Sequence, residues 1–417
     1  MKRLQIGSIR DAIVTRDRVE CYMADQDSMQ PGVCPKCGQG GLPVAVQACP
    51  SCGEIVGHIA GFRNSDANLL DEASRLIDER RHLGLEGLIG NLECIVINTE
   101  PEHLRHAVDE LLASTSLTVA DAFEDTDRQT VVLQTEGSAD VLVTSRKTLS
   151  PFAQLSCYPK SQHLPATRLE AFVFTCQDVT EVTRIQRGRE AHLLFDSPIR
   201  GTHAQWIQTA PSSLTGLSIG WIERSTGGRS YRLPHSRDLN WRFDKPSLPF
   251  LSNIGRLDHA ATRVRAENRD AAILEFMMLT NYTFDFAIHV KSLNSITNVA
   301  RLSADAFAMV FTSGISTFVD DVTSGPTERF VHIYGPRTHH LAWDTQSIED
   351  VFAGLVGRDQ EFLLGLVGSP EDGLKQTFTA MSPHTLLINE YIQRFGDFDG
   401  FFTKSNVTRL TEATSRQ

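Results

Sequence analysis

Residues 92–112, LECIVINTEPEHLRHAVDELL, and residues 257–277, LDHAATRVRAENRDAAILEFM, have the same shape. Each opens on an apolar run that reads as a strand and continues with apolar residues at helical spacing. The likeness extends along the chain. LEAFVFTCQDVTEVTRI at 169–185 answers HHLAWDTQSIEDVFAGL at 339–355, and LSIGWIERS at 217–225 answers LINEYIQRF at 387–395. Laid over each other, Cys94 corresponds to His259, Glu170 to His340 and Gly220 to Glu390. The last two members stand 50 residues apart in both copies, and the first two 76 and 81 apart. Such self-similarity marks a repeated unit, here about 150 residues long. Between the strand–helix units lie alternating strands such as TVVLQTEG, ADVLVTS and DAFAMVFTS. The expected class is α+β: two tandem modules, 89–250 and 251–417, each a curved sheet with helices on its outside.

The same comparison isolates a chemistry. The second copy carries His259, His340 and Glu390 where the first carries Cys94, Glu170 and Gly220. Two imidazoles and one carboxylate can occupy one face of an octahedral Fe(II) and leave the opposite positions open. With 14 histidines in the chain, any one of them reads first as an ordinary core or surface residue. A set of three at matched repeat positions does not.

Upstream, residues 34–53 read CPKCGQGGLPVAVQACPSCG. Cys34 and Cys37 form one knuckle, and Cys49 and Cys52 a second. Four thiolates in two pairs make a closed tetrahedral Zn(II) site, and a closed site leaves no position for a substrate. These residues resemble a zinc ribbon. Its expected role within 1–57 is a folding staple or a docking module for another protein or subunit. Residues 58–88 then carry Leu69, Leu70, Ala73, Leu76 and Ile77 at helical spacing, with Gly84 and Gly87 to end the helix, and read as a helical connector.

The 417 residues fit two to three domains at ~150 residues each. With 41% apolar and 22% charged residues, the chain can bury a full core. Lys plus Arg is 40 against 51 for Asp plus Glu, a net charge of -11, which argues against a nucleic-acid binder. No apolar run approaches the ~18 residues of a membrane span, and no secretory h-region follows the first basic residues. Eight cysteines, four of them in C-x-x-C pairs, point to metal in a reducing compartment, so the expected location is cytoplasmic. A homo-oligomer is compatible with the sequence.

Residues 250–417 resemble the 4-hydroxyphenylpyruvate dioxygenase family of the vicinal oxygen chelate superfold. Leu257-Asp258-His259 is similar to the strand that carries the family's first iron ligand. His339-His340-Leu341-Ala342 is similar to the second, and Glu390-Tyr391-Ile392-Gln393-Arg394 to the third. LKQTFT, with Gln376 and Phe378, resembles the family's stretch upstream of the glutamate. GFFTKSNVTRLTEA, with Phe402, Asn406, Leu410 and Glu412, resembles its closing helix. The resemblance implies an Fe(II) dioxygenase that takes a 2-oxo acid and O2. It decarboxylates the acid and hydroxylates the same molecule, with 4-hydroxyphenylpyruvate or a related aryl or alkyl acid as substrate. It implies that Gln376 orients substrate or dioxygen, that Phe378 and Phe402 wall the cavity, and that Asn406 reaches it from the closing helix. No catalytic residue beyond the iron ligands is implied.

The departures from the family's pattern are specific. His339 replaces a glutamine before the second histidine. RFVHIY, read as a strand, puts His332 where a substrate-binding glutamine would sit, and Val407 replaces an aromatic clamp. Either histidine could add a donor or proton carrier near neutral pH or fill space behind the ligands. These changes predict a preferred substrate other than 4-hydroxyphenylpyruvate. Two other enzyme readings use the same superfold: extradiol ring cleavage, whose Tyr-containing signature is missing from MSPHTLLINE, and a glyoxalase-type isomerisation. A third is a ligand-sensing regulator docked through the ribbon, which would have no need of an intact ligand triad.

Overall fold

The computed structural model describes residues 62–225, 228–321, 323–398 and 400–417. The expected ribbon cysteines Cys34, Cys37, Cys49 and Cys52 lie outside these residues. Helix α1 (Asp66–Leu83) comes first. The first module follows: β1 (Ile89–Asn98), α2 (Leu104–Ser114), β2 (Thr118–Glu124), β3 (Arg128–Gln134), β4 (Asp140–Arg146), β5 (Arg168–Cys176), α3 (Val179–Gly188), β6 (Ile199–Arg200), β7 (Ala204–Gln208), β8 (Ser218–Arg224) and β9 (Arg237–Asp238). The second consists of β10 (Ile254–Arg263), α4 (Arg269–Leu279), β11 (Thr283–Val290), β12 (Ser295–Arg301), β13 (Ala308–Ser313), α5 (Gly325–Tyr334), β14 (Arg337–Thr345), α6 (Ile348–Val356), β15 (Val367–Ser369), β16 (Leu374–Phe378), β17 (Ile388–Arg394) and α7 (Lys404–Ala413).

The two sheets have one topology. The first runs β6-β7-β8-β5-β1-β4-β3-β2-β9, and the second, read from its other end, β15-β16-β17-β14-β10-β13-β12-β11. Eight strands correspond one to one, and β9 is an added edge. Both sheets are mixed: β1 pairs β4 and β5 pairs β8 in parallel, as β10 pairs β13 and β14 pairs β17. The architecture is α+β, two curled sheets in tandem. The connections explain it. Each parallel partner is reached through a crossover, and the amphipathic helices α2 and α4 cover one sheet face with Leu104, Val108 and Leu111, and with Ile273, Phe276 and Met277.

Helix α1 ends as its sequence predicts, on Gly84 in the left-handed conformation at φ 76, whose N–H bonds back to the last turn. Leu69 and Ala73 are buried, but Leu70 is half exposed, so the apolar stripe is narrower than read. Arg80 reaches out of α1 and donates to Met277 O, Thr280 O and Tyr282 O at 2.9, 3.1 and 2.7 Å. That seals the carbonyl end of α4, whose last carbonyls have no partner within the helix.

The two modules interlock by reciprocal bonds. Trp221 Nε1 of β8 donates to Leu279 O, the end of α4, at 2.8 Å, and Tyr391 Oη of β17 donates to Ser114 O, the end of α2, at 2.8 Å. Arg168 donates to Pro336 O at 3.0 Å, and Arg337 to Thr167 O at 2.6 Å. Ser212 donates to Glu275 and Ser382 to Glu110, both at 2.6 Å. Each pair joins equivalent positions of the repeat in opposite directions, which is the signature of a pseudo-two-fold axis.

Candidate metal centre

Three neighbouring strands of the second sheet carry the site. His259 of β10 lies level with Ala342 of β14, and Ala342 level with Glu390 of β17. His340 lies two residues from Ala342 on the same face, because alternate residues of a strand share a face. The small Ala342 therefore leaves space between two long side chains. Glu390 Oε2 comes within 3.1 Å of His259 Nε2 and 3.2 Å of His340 Nε2. One ligand atom from each residue falls within 4.8 Å of the others, the one such buried group of three among the described residues.

Every ligand is held from behind. His259 Nδ1 donates to Asp258 Oδ2 at 2.7 Å, and Asp258 receives Arg394 through two bonds of 2.6 and 3.1 Å. His339 Nε2 donates to Gln417 Oε1 at 3.0 Å. Its Nδ1 is then an acceptor, so the 2.8 Å contact with His340 Nδ1 places a proton on His340. Both imidazoles thus turn Nε2 to the centre. Asn406 Nδ2 donates to Gln376 Oε1 at 3.1 Å, and Gln376 Nε2 to Glu390 Oε1 at 2.5 Å, leaving Oε2 for the centre. Such outer partners fix tautomer and orientation in metal sites. The rings are walled as well: Phe401 and Phe402 meet His259 edge-on at 5.5 and 5.1 Å, and Phe378 lies 4.7 Å from His340.

The electrostatics favour a cation. Burial would lower the His259 imidazole, but Glu390 on one side and Asp258 on the other outweigh it and raise it to about 9. Burial also works against the charged Asp258, yet the bonds from His259 and Arg394 hold its carboxyl well below the usual range. His340 and His339 are kept neutral, by burial first and then by neighbouring positive charge. Two neutral-capable nitrogens and a carboxylate oxygen with fixed outer partners fit a divalent ion of the 2-His-1-carboxylate type.

A pocket with about 460 Å³ of empty space, its mouth included, opens beside this group. Gln376, Phe378, His339 and Phe402 line it together with His340 and Glu390, as does Val407. Asn406 is buried one layer back, against Gln376. His332 is elsewhere. RFVHIY is helical, part of α5, and His332 stacks on Phe318 at 4.0 Å rather than lining the pocket. The reading of that stretch as a strand is corrected by the start of α5, where Ser324-Gly325-Pro326 places a proline in the first turn.

A second correction concerns the repeat. His340 lies level with Ala261, and Ala171 with Val96, its equivalent in β1. The counterpart of His340 is thus Ala171, and Glu170 matches His339. The first module's row reads Cys94, Val173, Gly220, with Val173 filling the space that Ala342 leaves open. Glu170 is instead bound by Arg146 at 2.7 and 3.1 Å. Sequence reasoning passed over Asp258, Arg394, Phe401 and Arg263. The first two stand within the ligand motifs themselves, and the alternation 390, 392, 394 along β17 could have brought Arg394 to the ligand face.

No protein-family model matches the sequence, and no curated protein matches it significantly. Solved structures do match in fold. A triple mutant of 4-hydroxymandelate synthase from Streptomyces coelicolor has TM-score 0.59 at 17% identity, over 79% of this chain and 98% of that one. A xylose isomerase-like TIM barrel/4-hydroxyphenylpyruvate dioxygenase fusion protein has TM-score 0.53 at 12% identity, over 87% of this chain and 61% of that one. No helix among the described residues is long and apolar enough to cross a membrane. The eight-strand correspondence and these two neighbours show that the chain has a fold of two tandem vicinal oxygen chelate modules, shared with those two solved structures.

Proposed function

We propose that the protein is an Fe(II)-dependent dioxygenase that oxidatively decarboxylates a 2-oxo acid and hydroxylates the same molecule. The observation that carries the reading is the convergence of His259, His340 and Glu390 at the wall of a pocket, each with its other polar atom occupied. The names of the two structural neighbours support it. His259, His340 and Glu390 would hold a ferrous ion, which when bound would offer positions to the oxo acid and dioxygen and relay electrons from the substrate to oxygen.

The chain supplies the rest. Asp258 with Arg394 holds the His259 ring, His339 with Gln417 holds His340, and Asn406 with Gln376 holds Glu390. Phe378, Phe402, Val407 and Leu410 make the pocket wall apolar and keep bulk water from the reacting substrate. Both ring nitrogens of the neutral His339 are taken, by Gln417 and His340, so it meets the pocket with its ring and not with a free polar atom. His332 takes no part, so the expected departure from 4-hydroxyphenylpyruvate rests on His339 and Val407. The four N-terminal cysteines are proposed to hold one Zn(II) as a structural or docking ribbon.

Anaerobic reconstitution followed by elemental analysis and oxygen-uptake assays over a panel of 2-oxo acids tests the proposal. About one iron per chain and uptake with at least one acid are expected, with zinc accounted for by the ribbon. Glu390→Ala should fold normally, lose iron and lose uptake. Wild-type protein that binds no iron, or a Glu390→Ala variant with full turnover, would refute it.

A further inference from the structure

Arg263 is a buried cation in the pocket wall with no anion to meet it. Its guanidinium donates to Thr414 Oγ1 at 2.9 Å and to Pro326 O at 3.4 Å, and lies 4.6 Å from the centre of the Phe330 ring. These partners are neutral, and no carboxylate among the described residues forms an ion pair with it. Burial draws its ionisation down to about 9, which still leaves it charged at neutral pH. A buried charge without a counter-ion is strongly unfavourable, so its persistence here asks for a partner that the fold does not supply.

The register shows where that partner would lie. Arg263 shares the ligand face of β10 with His259 and Ala261. It is level with Thr312 of β13, which is level with Thr297 of β12, and all three line the pocket. The next row toward the metal centre is Ala261, Val310 and Val299. The pocket floor therefore runs from the ligand row, across an apolar row, to a polar row. Independently of Arg263, Thr312 Oγ1 is buried without a hydrogen-bond partner among the described residues. An unmet hydroxyl and a guanidinium with no counter-ion among the described residues stand side by side, facing the same space.

We propose that Arg263, Thr312 and Thr297 form an anion-binding subsite, and that the substrate is a 2-oxo acid with a second carboxylate at the end remote from the oxo acid. This deepens the proposed function and rests on it for the chelating head. The guanidinium fork suits a carboxylate through two parallel bonds, the Thr312 hydroxyl adds a third donor, and the apolar row fits the carbon skeleton between the two acidic ends.

Calorimetric titration of the full-length, Fe(II)-loaded protein without oxygen tests this with two pairs of probes matched in shape. One is 4-carboxyphenylpyruvate against 4-nitrophenylpyruvate, the other 2-oxoadipate against 6-methyl-2-oxoheptanoate. In at least one pair the diacid should bind ~10-fold or more tightly, the usual scale for a charge-assisted hydrogen bond. Arg263→Met should reduce that preference to about twofold or less while leaving the neutral probe's affinity nearly unchanged, and Arg263→Lys should keep part of it. Equal binding of diacid and neutral probe in both pairs overturns the subsite. So does a preference that survives Arg263→Met, or a loss shared equally by both probes, which would put Arg263 on the common oxo-acid head. If Arg263→Met fails to fold, Thr312→Val must lower the preference severalfold, and an unchanged preference refutes the proposal. Oxygen uptake is then read on the same samples. Diacid preference without uptake would sink the dioxygenase reading and keep the subsite, and uptake without preference would do the reverse.

Discussion

Asp258 shows how much of a metal centre sits outside the ligand set. Its carboxylate takes one bond from His259 and two from Arg394, so it sets the plane of one imidazole and neutralises a partly buried guanidinium at once. Asp258→Asn keeps the shape but loses the charge. Partners of this kind typically change metal affinity ~10–100-fold, and a loss of that size in iron affinity is expected in a competition titration against a chelator. An unchanged affinity would assign Asp258 to the Arg394 pair alone. The three residues that converge were legible in the sequence because they break a repeat: histidine stands where the other copy has Cys94, and glutamate where it has Gly220. The counterpart of His340 in the first module was displaced by one residue, to Glu170 from Ala171, for a physical reason. Both β5 and β14 are buried on both faces, so neither shows the apolar alternation that fixes which residue faces the pocket. Arg263 was illegible because its neighbours Thr297, Thr312 and Thr414 arrive from distant stretches of the chain.

Among the elements, α5 and α7 have no α-helical counterpart in the first module, and α5 packs over the polar end of the pocket through Thr327. Its Glu328 is buried and accepts from Gly314 N at 2.8 Å. Burial pushes the Glu328 carboxyl up from 4.5 to about 8. The folded state therefore holds a proton that the unfolded chain has already released between these values. Stability should be highest below about pH 4.5 as far as this group is concerned, fall through the window up to about 8, and level off above it. The full effect is at most roughly 5 kcal/mol. Glu328→Gln, which needs no proton, should flatten this region of the pH profile of urea midpoints. A slope unchanged by the substitution would locate the titration elsewhere. The helix was misread as a strand because RFVHIY was matched to a strand of the resembling family and its β-branched and aromatic residues suit one, while the deciding signal, Pro326 in the first turn, lies upstream of the stretch.

At the scale of the whole molecule, the two sheets hold each other through the ends of their helices. Trp221→Phe and Tyr391→Phe would each leave a buried helix-terminal carbonyl, Leu279 O or Ser114 O, without its side-chain donor. Each should destabilise by about 1–2 kcal/mol, the usual effect of an unmet buried acceptor. Because the two bonds lie at separate places, the double variant should show nearly the sum in denaturant unfolding. Strong coupling would mean that the axis shifts as a unit. The duplication was visible in the sequence as repeated strand–helix units, but the reciprocity was not, since each bond joins residues 58 to 277 positions apart.

That reciprocity also says what the first module is for. An interface whose contacts occur twice, in opposite directions, is the kind two identical subunits make. Two copies of the second module would meet the same way and carry two centres. In this chain the first partner has filled its own centre with Val173 and is covalently attached, so the pairing obeys no mass action. Dilution that would dissociate a dimer of independent chains leaves these two modules paired, with one His-His-Glu group among the described residues at any concentration.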